Sequence, residues 1–249
     1  MEELYEMILK RKSFRRFDET LSISSDEMQK IEQQLNQLLP LQNNIRIEFR
    51  IVEKSKTTCK RGEYCLLIYS QQKELFLINA GYMLEQMDLF LASIDIGVCW
   101  YGFGKADIMQ RNGLDFIIML ALGKSRPEDF RKDITKSRRK PSEAIWNGAF
   151  DEDIVRLIRY APSSCNMQPW RVVSAKNEIK IYRTTEVNSI MPVNKRPFYN
   201  SIDMGVFLCF LEILLMHSHY RYNRILHDKG NEEQISNEGY MEIATYTIE

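Results

Sequence analysis

Ala161-Pro162-Ser163-Ser164-Cys165-Asn166-Met167-Gln168-Pro169-Trp170 is the stretch on which the reading of this chain turns. Two prolines bracket a run of short polar side chains, so the backbone forms a tight, amide-rich loop. Upstream, Ile154, Val155, Leu157 and Ile158 recur at helical spacing; downstream, Arg171-Val172-Val173-Ser174 reads as a strand. A loop that closes a helix, opens a strand and presents hydroxyls and amides is suited to holding a ligand. The plainer alternative is a rigid turn whose Asn166 and Gln168 bond only their own backbone.

Working outward, Leu4, Tyr5, Ile8 and Leu9 share one face of a first helix, and Ser24-x-x-Glu27 forms a capping-box signature for a second, running to about Leu39 ahead of Pro40. Strands are predicted over Arg46–Val52, Tyr64–Tyr69 and Phe116–Leu122. The segment from Leu75 to Ile96 is apolar on most faces, which means a helix buried from several sides. A second apolar run, Met204–Met216, contains Glu212 and falls short of the roughly 20 residues that span a bilayer, so it reads as another buried helix.

These elements recur. Gly81, Leu84, Met87 and Leu91 match Gly205, Leu208, Leu211 and Leu215 at one constant spacing, and Phe116–Leu122 falls on Tyr240–Tyr246 at that same spacing. Asp26-Glu27 falls within one residue of Asp151-Glu152. The expectation is a single intertwined domain, 1–249, made of a first pseudo-repeat (1–125), a polar crossover linker (126–144) and a second pseudo-repeat (145–249).

Composition narrows the function classes. With 249 residues and 44% apolar content the chain can bury a substantial core. Lys plus Arg balances Asp plus Glu at 34 each, so no global field draws it to nucleic acid or a membrane surface. Five cysteines without paired spacing argue for a reducing, cytoplasmic setting, and the acidic N-terminus lacks the pattern of an export signal. His217, His219 and His227 have no carboxylate at ligand spacing, so no metal is expected. Trp170 reads as core, Cys165 as a small buried filler, and Phe198 and Tyr199 as core that could reach a pocket.

Three further stretches carry chemistry. Arg11-Lys12-Ser13-Phe14-Arg15 gathers guanidinium groups and a hydroxyl at a helix end, as a phosphate dianion requires. Gly97-Val98-Cys99-Trp100-Tyr101-Gly102 follows the long apolar helix and permits close backbone approach at Gly102. Lys136-Ser137-Arg138 sits in the linker. Together with the loop at 161–170 they resemble the FMN-dependent nitroreductase family. No GxSxG elbow supports Ser163 or Ser164 as a hydrolytic nucleophile.

That resemblance implies an α+β fold, a central mixed or antiparallel sheet flanked by helices, and an FMN cofactor. It assigns the phosphate and ribityl chain to Arg11, Lys12, Ser13 and Arg15, completed by Lys136 and Arg138. The ring goes to Pro162, Ser163, Ser164 and Asn166, with Trp100, Tyr101 and Gly102 at the N5 edge. It also implies an oxidoreductase passing hydride from NAD(P)H to a small electron-poor acceptor, nitroaromatic or quinone-like, with no protein acid or base required. Family members are intertwined homodimers; here one chain, with or without further self-association, stands in for the dimer and keeps one site. The second half lacks its own basic-Ser-x-basic opening, and Leu39-Pro40-Leu41-Gln42-Asn43-Asn44 stands where a second ring loop would fall. The alternative is a flavin-binding protein of the same fold without turnover, or a degenerate member that has lost FMN.

Overall fold

The computed structural model describes residues 1–185, 187–227 and 239–249. In chain order the elements are α1 (Tyr5–Lys10), α2 (Ser25–Leu35), β1 (Ile47–Glu53), β2 (Tyr64–Ser70), α3 (Phe76–Ser93), β3 (Ile96–Tyr101), β4 (Gln110–Arg111), β5 (Leu114–Lys124), β6 (Trp146–Asn147), α4 (Glu152–Ile158), β7 (Trp170–Ala175), β8 (Glu178–Thr184), α5 (Arg196–His217), β9 (Tyr222–Leu226) and β10 (Tyr240–Ile248).

The capping box forms as expected: Ser24 Oγ accepts from the Glu27 N–H and Glu27 returns a carboxylate to the Ser24 N–H. The helix nevertheless ends at Leu35, short of Leu39. Competing side chains explain the difference. Gln86 in α3 binds the Leu39 backbone in both directions, at 3.0 and 2.8 Å. Asn79 Oδ1 accepts from the Leu41 and Gln42 amides at 2.8 and 3.2 Å. Residues 39–42 are thereby held to α3, and helical bonding cannot continue through them.

The strands form two five-stranded sheets, ordered β1-β2-β5-β3 with β4 beside β5, and β6-β7-β8-β10-β9. Pairing is antiparallel except for β6 with β7. Leaving β4 and β6 aside, both sheets repeat one plan: two hairpin strands, a long helix, a strand, and a final strand that inserts beside the second. Each final strand also carries a register shift, opposite Ile68/Tyr69 in β5 and between Glu242 and Ala244 in β10.

Between the sheets α3 and α5 cross with their backbones nearly touching. A Cβ on Gly81 would run into the Ile202 carbonyl oxygen, and a Cβ on Gly205 would run into that of Ile78. The relation is reciprocal, and Ile78 and Ile202 stand at the same spacing as the two glycines. Buried carboxylates repeat the pattern. Asp88 in α3 accepts from Trp100 Nε1 in β3 at 2.9 Å, while Glu212 in α5 pairs with Arg224 in β9. The Tyr82 and Tyr246 hydroxyls complete Glu212 at 2.6 and 2.7 Å, which explains a carboxylate inside an apolar helix.

The second apolar helix is longer than the run read from sequence. Val193–His217 is long and apolar enough to cross a membrane by length and composition, yet 89% of its apolar window is buried inside the protein. Trp170 stacks on Phe207 at 4.9 Å and is fully buried, as expected of core.

Candidate functional site

The chain leaves helical geometry at Arg11 and is strapped to β3: Phe14 N–H donates to Val98 O at 2.8 Å, and Ser13 forms a parallel bridge with Val98. The Phe14 ring then packs edge-on against Phe130 at 4.9 Å, and Arg131 N–H donates to Lys10 O at 2.9 Å. An aromatic pair and one backbone bond thus lay the linker over the N-terminal segment. Further along, Lys140 N–H donates to Gln168 Oε1 at 2.8 Å and Arg139 Nη1 donates to Asn166 Oδ1 at 2.9 Å. The linker is the clasp that joins the basic segment to the loop at 161–170.

That loop is held internally by Ser163 Oγ, which accepts from the Gln168 N–H at 2.9 Å. Cys165, Asn166 and Gln168 all have left-handed backbone, with φ of 50°, 56° and 48°. Such clustering of unfavourable dihedrals is typical of ligand-holding segments. Cys165 is exposed and lines the cavity, contrary to the expectation of a buried filler, because the loop that carries it turns through left-handed backbone at the cavity mouth and not through the core.

A cavity of about 790 Å³ lies between these pieces. From the N-terminal segment it is lined by Arg11, Lys12, Ser13 and Arg15; from the loop, by Pro162, Ser163, Ser164 and Asn166. Trp100 and Gly102 line it too, and Arg138 joins from the linker. Gly102 is needed for a close approach, since a Cβ there would meet the Tyr199 ring at 2.8 Å, and its carbonyl accepts from the Tyr199 hydroxyl at 2.7 Å.

Two expected site residues are not in the cavity wall. Tyr101 follows Trp100 in β3, so strand alternation turns it to the other face, where it packs among Val52, Cys65 and Tyr69 with Arg61 over its ring at 5.9 Å. Lys136 ends a 3-10 turn, Ile134–Lys136, capped by Asp133; the turn buries Ile134 and leaves Lys136 exposed. Ser137 and Arg139 line the cavity in its place. Asn166 differs in role: its amide is engaged by Arg139 and by Arg138 O, at 2.9 and 3.3 Å, and so ties the loop to the linker.

Arg11 is 2% exposed and lies 2.9 Å from Asp88 Oδ2. Burial and the charge of Asp88 hold the nearby Glu85 carboxyl well above its ordinary range. Arg131 and Arg139 are pulled down to about 10, chiefly by burial and then by the charge of Arg11. No carboxylate pairs with either among the described residues. Beneath the loop, Asp203 Oδ1 accepts from both the N–H and the hydroxyl of Ser164, at 2.9 and 3.0 Å. Burial pushes that carboxyl up to about 7. Arg61, which donates to Cys99 Sγ at 3.1 Å, also reaches the cavity.

Arg61, Arg131, Arg139, Tyr199 and Asp203 complete the wall without belonging to any motif. Two signals were available for them: Arg139 adjoins Lys136-Ser137-Arg138, and Asp203 stands from Asn79 at the spacing that relates the two glycines.

The family described as "Putative TM nitroreductase" matches residues 3–214. A search of curated proteins gives no match. Among solved structures, a "putative nitroreductase" of Thermotoga maritima is 17% identical, with 98% of this chain and 92% of that chain covered and a TM-score of 0.62. A nitroreductase family protein of Clostridium difficile is 16% identical (59% and 98% covered, TM-score 0.45), and one of Clostridium novyi is 20% identical (52% and 88%, TM-score 0.40). The Thermotoga protein shares the fold over nearly the full length of both chains. With the family match covering the first sheet, strands β6 to β8 of the second, α3 and nearly all of α5, the chain belongs to this nitroreductase family.

Proposed function

We propose that the protein is an FMN-dependent oxidoreductase that accepts hydride from NAD(P)H and passes it to a small, flat, electron-poor acceptor, nitroaromatic or quinone-like. The carrying observation is the cluster of Arg11, buried, with Arg131 and Arg139, half-buried, around one cavity; Asp88 and Glu85 pair with Arg11, at 2.9 and 3.9 Å, and no carboxylate pairs with the other two among the described residues. Like charges held together and partly shielded from water call for an anion, and a phosphate dianion with guanidinium forks on several sides answers that need. The cavity volume suits a cofactor of FMN's size.

In this reading Lys12, Ser13, Arg15, Arg138 and Arg139 hold the phosphate end, with Arg11 anchored by Asp88 behind them. Pro162, Ser163 and Ser164 bear on the ring from one side, and Trp100 and Gly102 bear on its edge. When bound, FMN supplies the hydride chemistry, and the protein orients the reactants and excludes water. Asn166 fixes Arg139 and so couples the ring loop to the phosphate end. Soluble small molecules, not nucleic acid or lipid, are the partners we infer, in the cytoplasm.

We further infer that residues 1–125 and 145–249 are pseudo-repeats joined by the linker 126–144, so that a single chain occupies the place of a dimer. Reciprocal glycine contacts and the shared strand order support this. The counterpart of Trp100 is Arg224, already neutralised by Glu212, and the counterpart loop is the apolar Leu39–Leu41 segment. One flavin per chain is the consequence.

The absorption spectrum of the purified protein tests the proposal. Flavin bands at one FMN per chain, bleached by NAD(P)H under argon and restored by a nitroaromatic or a quinone, are expected. Bleaching that fails with both nicotinamides favours a flavin-binding protein without turnover. A colourless protein that cannot be loaded with FMN sinks both readings.

A further inference from the structure

Asp203 is a carboxyl group with one oxygen fully used and the other without a partner. It is 3% exposed and lines the cavity together with Tyr199, one turn before it in α5, and Val206, one turn after. Ser164 donates twice to Oδ1, whereas Oδ2 has no hydrogen-bond partner.

The matching position in α3 shows what holding a loop requires. There Asn79 accepts the amides of Leu41 and Gln42 on its Oδ1, so an amide oxygen is sufficient. At position 203 the architecture needs no more than that, yet the residue is an acid that lines the cavity, with its second oxygen buried and unpartnered. A buried ionised carboxylate with a vacant oxygen is costly, and protonation relieves the cost. With two donors already on Oδ1, the proton belongs on Oδ2. The raised value, about 7 and caused by burial, agrees.

Other groups around the cavity are poor proton donors. Tyr199 commits its hydroxyl to Gly102 O. Arg11, Arg131 and Arg139 stay charged at neutral pH, and Arg61 is turned to Cys99 Sγ. Cys165 also lines the cavity, but as an exposed thiol it is a weaker acid than a carboxyl group.

We propose that Asp203 is the proton donor of this site, offering Oδ2–H to the bound ligand and giving that proton to the acceptor as it is reduced. The inference rests on the flavin reading above. The acceptor receives a hydride with its electron pair, the Oδ2–H bond breaks, and an O–H or N–H bond forms on the acceptor. The carboxylate left behind takes a new proton from solvent. The substrate class is accordingly one whose reduced form gains a proton on oxygen or nitrogen.

Three measurements test this. In flavin-free protein labelled with carboxyl-¹³C aspartate, one resonance should titrate near neutrality, be absent from Asp203→Asn, and move higher in Ser164→Ala, which removes a donor to Oδ1. If no aspartate titrates above about pH 6, the inference is overturned. Riboflavin, which lacks the phosphate, should bind the same protein roughly tenfold more weakly at high pH than at low pH across that titration, and Asp203→Asn should be flat. A flat wild-type profile also overturns it. In FMN-loaded protein the acceptor half-reaction should slow roughly 100-fold in Asp203→Asn with the nicotinamide half-reaction unchanged; equal slowing of both means that Asp203 only supports the loop. Failure of FMN and riboflavin to bind at any pH instead removes the flavin reading, and the NMR titration still reports Asp203 on its own.

Discussion

Arg139 illustrates how a single side chain can serve both walls of a site. Its Nη1 donates to Asn166 Oδ1 and Nη2 to Tyr160 O, so it is held while its charge stays uncompensated. Arg139→Ala should weaken FMN binding by roughly 1.5–3 kcal/mol, the loss of a charged contact, as read from fluorescence quenching during titration. Lys136→Ala, outside the wall, should leave affinity unchanged, and an equal loss there would show that the linker cluster acts only through its general field. Asp203 gives a second test. Its raised value means that the folded chain binds more protons than the unfolded chain between about pH 4 and pH 7. Stability should therefore fall as pH rises through that window, by up to about 4 kcal/mol, a loss that Asp203→Asn should not show in denaturant titrations. The sequence revealed Arg138 through its motif but not Arg139 or Asp203. Their importance comes from what surrounds them in space, an unpaired neighbour charge and a vacant oxygen, and neither has a local signature.

At the scale of elements, the two central helices were legible because an all-round apolar pattern has one meaning, burial from several sides. What the pattern did not disclose was how they meet. Gly81 and Gly205 permit backbone contact, and each faces the residue that stands three before the other glycine. Gly81→Ala and Gly205→Ala should each destabilise by about 1–3 kcal/mol or more, since the added methyl meets a carbonyl oxygen and not a flexible side chain. The reciprocity gives the experiment its edge: the two losses, measured by chemical denaturation, should be similar, and a neutral substitution at either position would show that the helices sit farther apart. The end of α2 and the face of Tyr101 were misread for a related reason. Gln86 and Asn79 act on residues 39–42 from a distance in sequence, and the alternation of β3 is visible only once its register is known.

For the whole molecule, the decisive feature is that the two largest apolar clusters draw on both halves, although a smaller one around Val52, Leu67 and Met119 stays within the first. One apolar cluster runs from Leu4, Ile8, Ile78 and Tyr82 into Trp170, Phe207 and Tyr246. Another joins Leu66, Leu84 and Ile118 to Met167, Met191 and Tyr199. A chain of 249 residues often unfolds in stages, domain by domain, and two sheets with two helices look at first like two such units. Shared clusters and the glycine crossing argue otherwise: releasing one sheet would expose a face of the other half's central helix. The three tryptophans make this measurable, because Trp100 lies in the first sheet whereas Trp146 and Trp170 lie in the second. In flavin-free Trp100→Phe, intrinsic fluorescence reports only the second sheet, while far-ultraviolet circular dichroism reports both. The two melting curves should coincide, and adding FMN to wild-type protein at about 100 times its Kd should raise stability by about 2.7 kcal/mol in a single shifted transition. Separation of the two curves would mean that the halves fold independently and that the site, with walls drawn from both, is assembled only after they dock.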